Sequence, residues 1–382
     1  MRIEELFMVH NPGGRFRVIA TKQLPGQRWL DILLRADCRV EVCTSEELLS
    51  PDEIRSFIGD RCDGAIGQLT ETWNRGLLEV LKKAGGKVYS NYAVGYDNVD
   101  IKAATELGIP VGNTPGVLTR ATAELAVALS FAAARRIVEA DSFMRAGKFK
   151  GWLPTLFMGE LLSGKTAGVL GAGRIGTAYA LMMVEGFKMN LIYYDPARNI
   201  KLEERVRAFG EFLKSTGEKE VTCIYAKSVD EVLREADVVS LHLSLNTSTL
   251  HVLDARRLSM MKKNAILVNT SRGSVIDELA LVEHCRRNPD FRVGLDVYED
   301  EPRMKPGLSE LPNTVLLPHI GSATRWTREG MAVLASLNVS GILCGWPVWP
   351  DPGRIDPFLG NAPPEAAPSI VNVRELGLSR VL

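Results

Sequence analysis

A glycine-rich loop limits the possible folds of this chain more strongly than any other segment. Gly171, Gly173 and Gly176 follow the apolar segment 166–170 and open an apparent helix. About 20 residues further on, the next apolar run ends in Asp195. A strand, a glycine turn, a helix, a second strand and an acidic residue in this order are typical of a dinucleotide-binding βαβ unit. We therefore predict a parallel sheet with a nucleotide site at this turn.

Each residue of the loop has a distinct expected role. Gly171 allows the tight turn, Gly173 lets the backbone approach a pyrophosphate, and Gly176 lets the helix pack close to the sheet. Arg174 and Ile175 begin the helix, so free backbone N–H groups there point at the phosphates. The alternative is a glycine turn in an α/β protein that binds no nucleotide, and the complete strand, helix and acid context argues against it.

Asp195 is expected to select the cofactor. Its carboxylate would accept hydrogen bonds from the adenosine ribose hydroxyls and repel a 2′-phosphate, which favours NAD(H) over NADP(H). Arg198 lies close by in the sequence and would soften that preference if it were available to a phosphate.

The rest of the chain predicts two α/β domains. At 382 residues it is too long for one ordinary domain. Short apolar runs alternate with amphipathic segments, which indicates parallel sheets. Strands are expected at residues 16–20, 38–43, 65–69, 87–90, 166–170, 191–194, 238–243, 265–269, 293–297 and 315–317. Helices are expected at residues 51–59, 72–83, 100–107, 174–185 and 323–343.

Three further segments have their own expected roles. An alanine-rich helix over residues 119–146 is apolar nearly all round, so part of it should be covered by something other than its own sheet. Residues 199–221 are predicted to form a helix-prone surface insertion. The Pro- and Trp-rich segment after residue 345 is predicted to be extended and to cover the domain surface. Residues 1–12 are weakly patterned and read as a trimmed or flexible start.

Composition excludes several classes of function. Lys+Arg and Asp+Glu both number 46, which gives no reason to expect a nucleic acid or an acidic membrane as the partner. No apolar run is long enough to span a bilayer. The six cysteines are scattered without a CxxC pair, so we expect free thiols and no metal site.

Three ionisable residues stand just past successive predicted strands. Arg272, Glu301 and His319 follow the runs that begin near residues 265, 293 and 315. Because the carboxyl ends of parallel strands line one crevice, we expect these side chains to converge. Taken singly, each has an ordinary explanation: a surface ion pair, a solvated acidic loop or a buried structural histidine. Their joint placement favours a site.

These residue types match the reduction of a 2-oxo acid. Arg272 would hold the substrate carboxylate and polarise its carbonyl. His319 would act as the general acid or base, and Glu301 would orient it and favour its protonated form.

The chain resembles the D-isomer-specific 2-hydroxy acid dehydrogenases over nearly its whole length, and within them the plant and algal NADH-dependent hydroxypyruvate reductases. The family motifs are residues 169–176 (VLGAGRIG), 268–273 (VNTSRG), 296–302 (DVYEDEP) and 318–322 (PHIGS). The narrower match rests on residues 91–100, 112–119, 133–141, 183–190 and 326–331, together with the insertion after Asp195.

The resemblance implies a flavodoxin-like substrate domain at residues 1–125 and 324–382, a Rossmann NAD-binding domain at 126–323, and a cleft between them. It assigns substrate carboxylate binding to the backbone of Val94 and Gly95 and to Arg272, although an ordinary strand end is the alternative for that loop. It places Asp296 at the nicotinamide amide. Further residues assigned to the cofactor loops are Thr249, Thr270 and Gly321, with His242 close by.

The resemblance also implies hydroxypyruvate reduction to D-glycerate with NADH, glyoxylate as a slower substrate, and a homodimer through the 119–146 region. The alternatives are another 2-oxo acid, such as a phosphoglycerate or lactate precursor, and an NADH-sensing corepressor-like binding protein. It suggests a peroxisome, but Arg380, Val381 and Leu382 differ from the Ser-Lys-Leu type of signal. Mitochondrion and cytosol therefore stay open.

Overall fold

The computed structural model describes residues 7–381. The chain divides into two compact units, one formed by residues 1–118 and 322–382 and the other by residues 119–321. The domain limits expected from the sequence, 125/126 and 323/324, lie a few residues after the limits between these two units. The first expected limit falls inside the helix Thr119–Ala134. Within the described residues, no helix combines the length and apolarity that a bilayer crossing requires.

The described chain contains thirteen strands and thirteen α-helices. The strands are β1 Phe7–His10, β2 Phe16–Ala20, β3 Cys38–Cys43, β4 Gly64–Gly67, β5 Val88–Asn91, β6 Val111–Gly112, β7 Thr166–Leu170, β8 Asn190–Tyr194, β9 Cys223–Tyr225, β10 Val238–Leu241, β11 Ile266–Asn269, β12 Arg292–Leu295 and β13 Thr314–Leu316. The helices are α1 Arg28–Arg35, α2 Pro51–Ile58, α3 Arg75–Lys83, α4 Ile101–Glu106, α5 Thr119–Ala134, α6 Ile137–Arg145, α7 Arg174–Phe187, α8 Ile200–Ser215, α9 Val229–Glu235, α10 Ala255–Leu258, α11 Glu278–Arg287, α12 Arg325–Cys344 and α13 Asp356–Leu359.

The first unit is a six-stranded sheet in the order β1-β3-β2-β4-β5-β6. β2 to β6 are parallel and follow the flavodoxin-like order, while β1 pairs antiparallel with β3 at the edge. The long helix α12 packs on β4, β5 and β6. A buried cluster that includes Trp73, Leu78 and Tyr89 joins the sheet to α2, α3 and α4.

The second unit is a seven-stranded parallel sheet in the order β13-β12-β11-β10-β7-β8-β9. Its first six strands in chain order have the Rossmann arrangement. Each strand is short and apolar, as expected for strands that are covered on both faces. Two buried clusters, one on each face, pack helices against the sheet. The fold class predicted from the sequence is confirmed for both units.

Helix starts in both units are set by short polar side chains. Ser50 and Glu53 form a capping box at α2, and Asp277 accepts from Ala280 N at the start of α11. Asn199 caps α8 in the same way, since its Oδ1 accepts from Leu202 N. The helical part of the predicted 199–221 insertion is therefore a regular, capped helix.

Two expectations about the elements were wrong in detail. The first described residues, 7–10, form β1, whereas the sequence reading treated residues 1–12 as a loose start; residues 1–6 lie outside the described part. The predicted helix over residues 119–146 is two helices, because Arg136 adopts a left-handed conformation with φ of 54°. α5 packs on α7, β11 and β12, while α6 has no buried residue.

Candidate active site

The glycine loop of the second unit has the geometry that its sequence predicts. Gly171 has φ of +91°, and a Cβ there would lie 2.5 Å from the carbonyl oxygen of His242. A Cβ at Gly176 would lie 1.9 Å from the carbonyl oxygen of Gly171. At Gly173, by contrast, an added Cβ would meet nothing within 4 Å. The first and third glycines are therefore required by the fold itself, whereas the second borders open space.

The loop and its surroundings fit a dinucleotide. Helix α7 begins at Arg174 behind Gly173, which has no capping side chain, so the first helical amides stay available for an anion. The Thr270 hydroxyl is buried and has no hydrogen-bond partner within the described residues. A buried hydroxyl without a partner is costly, and a bound polar ligand would satisfy it. Thr249, in contrast, donates to Ser244 O at 2.7 Å and so closes its own turn.

Asp195 is fixed beside the glycine loop. Its two carboxylate oxygens accept from Ala172 N and Ala197 N, both at 2.9 Å. Each oxygen keeps a lone pair for a ribose hydroxyl. Arg198 is engaged elsewhere, since it forms a bidentate pair with Glu203 at 2.9 and 2.8 Å. The guanidinium is thus already paired with a carboxylate, and the expected role of Asp195 in selecting NAD(H) stays a prediction.

A tight turn after β11 carries Arg272. The fully buried Asn269 shapes it, because its Oδ1 accepts from Ser271 N and its Nδ2 donates to Arg272 O at 2.8 Å. At Gly273 an added Cβ would lie 1.8 Å from the carbonyl carbon of Tyr298. Only glycine therefore allows this turn to lie directly against the loop that leads to Glu301.

Glu301 and His319 form the pair predicted from the sequence. His319 Nδ1 lies 2.9 Å from Glu301 Oε2, and about a quarter of each side chain is exposed. The other carboxylate oxygen, Oε1, accepts from Tyr298 N at 3.0 Å. Burial raises the pKa of Glu301, but the hydrogen bond and charge of His319 outweigh it, helped by Arg272, and the net pKa is lowered. The carboxylate is therefore ionised and holds Nδ1, which leaves Nε2 for a proton transfer.

Asp296 holds the backbone that follows His319. Its two oxygens accept from Ile320 N and Gly321 N, both at 2.7 Å, and it is 1% exposed. Burial raises its pKa, against the lowering effect of these two bonds. His319 itself has φ of 55°, a conformation that costs non-glycine residues energy and clusters at functional sites. The roles expected for Asp296 and Gly321 toward the nicotinamide stay predictions.

The sequence did not predict some of the residues that hold the site in place. Asn269 and Tyr298 position Arg272 and Glu301 through backbone contacts that no spacing reveals. Glu278, 3% exposed, accepts from Glu299 N and Lys305 N and so secures both ends of the loop that bears Glu301.

His242 has a structural environment. Its Nε2 lies 2.9 Å from Ser240 Oγ, and burial lowers its pKa to about 3. The imidazole is therefore neutral at ordinary pH, which makes it a packing group and a hydrogen-bond partner in this loop.

The first unit carries the other predicted substrate residues. Val94 and Gly95 are partly exposed and follow β5. Their carbonyl oxygens accept from the side-chain amides of Asn113 and Asn91 at 2.8 and 2.9 Å. Buried side chains therefore fix the directions of both carbonyl groups in this loop.

The arrangement in the second unit suits acid–base chemistry on an anionic carbonyl compound. Arg272 offers a planar cation, and the Glu301–His319 pair offers a proton donor that a carboxylate holds in place. No group of three or more His, Cys, Asp or Glu side chains among residues 7–381 is placed to hold a metal ion.

Known proteins share this architecture. Residues 127–321 match the family model described as D-isomer specific 2-hydroxyacid dehydrogenase, NAD binding domain. The chain is 61% identical to the "Glycerate dehydrogenase" of Cucumis sativus over 372 residues, 97% of each chain. It is also 61% identical to the "Glycerate dehydrogenase HPR, peroxisomal" of Arabidopsis thaliana, again over 97% of each. A crystal structure of a protein from Thermus thermophilus aligns with a TM-score of 0.75 and 39% identity, covering 87% of this chain and 98% of that one.

Proposed function

Since the chain belongs to the D-isomer-specific 2-hydroxyacid dehydrogenase family, we propose that it reduces hydroxypyruvate to D-glycerate with NADH, and glyoxylate to glycolate more slowly. The observation that carries this proposal is the 2.9 Å contact between His319 Nδ1 and Glu301 Oε2. It provides a general acid whose proton is available at Nε2. The high identity to two glycerate dehydrogenases supports the choice of substrate.

Each residue of the site has a role in the proposed reaction. Bound NADH supplies the hydride that C2 of the substrate receives. Arg272 holds the substrate carboxylate and polarises the carbonyl, and His319 Nε2 donates a proton to the C2 oxygen. Glu301 stabilises the protonated imidazole. One hydride and one proton are added to the oxo acid, and D-glycerate and NAD⁺ leave.

Two groups of residues extend the site in this proposal. The amides of Val94 and Gly95 bind the substrate carboxylate, supported by their partial exposure and inward-facing carbonyls. Around the cofactor, Gly171, Gly173 and Gly176 shape the pyrophosphate site. The remaining cofactor contacts come from Arg174, Ile175, Asp195, Thr249, Thr270, Asp296 and Gly321, as the resemblance predicts.

A substrate panel tests the proposed reaction. NADH and NADPH oxidation are followed with hydroxypyruvate, glyoxylate and pyruvate in parallel. We expect the highest kcat/KM with hydroxypyruvate and NADH. A higher value with pyruvate would assign the protein to another 2-hydroxy acid. Tight NADH binding without turnover of any oxo acid would favour an NADH-sensing protein and reject the enzyme reading.

We also propose a homodimer, through an apolar surface formed by α6 and the segment that follows it. Large apolar side chains there are strongly exposed, among them Met144, Trp152, Met158 and Leu161 at 55, 81, 66 and 72%. Large apolar side chains that are exposed in one stretch of the chain are typical of a protein interface. This surface extends the predicted 119–146 region toward residue 161, because α5 is largely buried in its own unit.

Sedimentation velocity tests the dimer. The double variant Trp152→Asp, Leu161→Asp should sediment as a monomer, while the wild type sediments as a dimer. Leu48, 51% exposed on the first unit, provides the control, since Leu48→Asp should leave the dimer intact. A dimer that survives the double variant would contradict this interface.

We propose a peroxisomal location, on the strength of the relative from Arabidopsis thaliana whose name includes it. A fluorescent protein fused to the N-terminus should colocalise with a peroxisomal marker in plant cells. Diffuse cytosolic or mitochondrial fluorescence would reject the proposal.

A further inference from the structure

Three successive carbonyl groups after β5 are held by the interior of the first unit. Ala93 O accepts from Thr114 N at 2.8 Å. Val94 O accepts from Asn113 Nδ2 at 2.8 Å, and Gly95 O accepts from Asn91 Nδ2 at 2.9 Å. Two of the three donors are side chains, so their presence depends on the residue type at those positions.

Fixed carbonyls also fix the directions of the amides that follow them. In a trans peptide the C=O and the next N–H point in opposite directions, and the bonds in this loop are trans. The N–H groups of Val94, Gly95 and Tyr96 therefore point away from the interior. Within residues 7–381, none of these three amides donates to a protein acceptor. Successive unpaired amides of this kind form an anion-binding concavity.

The two asparagines are buried and their orientation is determined. Asn91 is 0% exposed and Asn113 6%. Asn91 Oδ1 accepts from the Tyr89 hydroxyl at 3.0 Å, and Asn113 Oδ1 accepts from the Ser369 hydroxyl at 2.6 Å. Because the carbonyl oxygens of Val94 and Gly95 can only accept, the NH₂ groups must face them, and the amide oxygens then face the hydroxyls.

Distant parts of the chain support Asn113. The buried Asn338 of α12 donates to Asn113 O at 2.9 Å, and its Oδ1 accepts from Ser369 N at 2.9 Å. The segment after α13 thus reaches β6 through Ser369. A network of polar groups that is fully bonded in the interior is rigid, since each lost bond would leave a buried group unpaired.

We propose that Asn91 and Asn113 are positioning residues, which turn the Val94–Gly95 and Gly95–Tyr96 peptide planes so that their amides meet the substrate carboxylate. This inference rests on the proposed function, in which the Val94 and Gly95 amides bind that carboxylate, and it adds the Tyr96 amide beside them. Without the side-chain donors, each carbonyl becomes free to turn toward solvent. The N–H group on the other side of the same peptide plane would then no longer point toward the substrate carboxylate.

Steady-state kinetics of Asn113→Ala test the inference. Because a hydrogen bond to a charged group stabilises binding appreciably, we expect the KM for hydroxypyruvate to rise about 10- to 100-fold per misdirected amide. The fall in kcat should be smaller, and the NADH affinity should stay within about twofold. Asn91→Ser provides a second variant if the first does not fold, with the same expected split.

Asn372→Ala is the matched control. Asn372 is 1% exposed and makes three hydrogen bonds in the same unit, with Ile109 O, Thr105 Oγ1 and Val111 N. It touches no carbonyl of the loop, so its loss should reduce stability while the KM stays within about twofold. An unchanged KM in folded Asn113→Ala or Asn91→Ser, or an equal rise in Asn372→Ala, would overturn the inference.

Amide NMR separates this inference from the proposed function. Oxamate is titrated into NADH-bound protein that carries ¹⁵N-labelled valine and glycine. In the wild type the Val94 and Gly95 signals should shift, and a failure to shift would reject the loop as the carboxylate site. If they shift in the wild type, the Gly95 shift should be lost or reduced in Asn113→Ala. An identical shift in both proteins would overturn the positioning role alone.

Discussion

Removal of the Glu301 charge should slow oxo-acid reduction. Glu301→Gln keeps the shape of the side chain but removes the negative charge 2.9 Å from His319 Nδ1. The carboxylate stabilises the protonated imidazole, which is the form that donates in reduction. The variant should therefore reduce hydroxypyruvate more slowly than the wild type. In the oxidation direction, which needs the neutral imidazole, it should be less impaired.

The structure sets the size of this effect. At the observed distance of 2.9 Å, two unit charges attract by about 1.4 kcal/mol in bulk water, and more in a partly buried site. A hydrogen bond to a charged group contributes about 1.5–3 kcal/mol, and a tenfold change in rate corresponds to about 1.4 kcal/mol. Because both side chains are about a quarter exposed, we expect kcat for reduction to fall by about 10- to 100-fold.

The assay is kcat for hydroxypyruvate reduction between pH 5 and 9 (about one point per half unit), with the NADH affinity measured alongside. Glu299→Gln is the control, because it removes a charge from the same loop. In the wild type, Glu299 pairs with His251 at 3.0 Å and not with His319. The reasoning would be refuted if Glu301→Gln kept the wild-type kcat for reduction, or if Glu299→Gln lowered that kcat equally.

Three further predictions address the cofactor loop and stability. Gly173→Ala should leave the free energy of unfolding within about 1 kcal/mol of the wild-type value, since its Cβ meets nothing. The same variant should weaken NADH binding at least tenfold, measured by calorimetry. Gly176→Ala should instead lower the free energy of unfolding by about 2 kcal/mol or more. Asp195→Ser should lower the ratio of kcat/KM with NADH to kcat/KM with NADPH by about tenfold or more. An unchanged ratio would show that Asp195 does not select NADH over NADPH. Two arginines of α10 lower the pKa of Asp230 to about 2 from its usual 3.8. Because this pKa is depressed, the stabilisation is complete above about pH 5 and is lost as the pH falls toward 2. Asp230→Asn should therefore cost about 1 kcal/mol in urea unfolding at pH 7 and about half as much at pH 3.

The sequence predicted those parts of the fold that local patterns determine. Apolar runs of four to six residues identified the central strands of both sheets, because strands covered on two faces must be apolar. The strand β1 was not predicted, since it is short, half exposed and paired at an edge. The break between α5 and α6 was also missed, because a left-handed residue such as Arg136 leaves no signature in an alanine-rich pattern.

The candidate site shows the same division. Arg272, Glu301 and His319 were predictable because each follows a strand, and strand ends meet at one edge of a parallel sheet. The residues that hold them were not, because they act through hydrogen bonds that involve backbone groups and leave no side-chain pattern. Asn269 and Tyr298 make such bonds within their own turns, and Glu278 makes them to backbone N–H groups 21 and 27 residues away. Only the folded structure shows that the carbonyls of the Val94 loop are held by asparagine side chains.

The most direct test of the central claim is turnover of His319→Gln. We predict that kcat for NADH-dependent hydroxypyruvate reduction falls by about 10²- to 10⁴-fold, because glutamine cannot deliver the proton. The dissociation constant for NADH, measured by fluorescence, should stay that of the wild type. A variant that binds NADH normally and retains a kcat close to that of the wild type would show that His319 is not the acid.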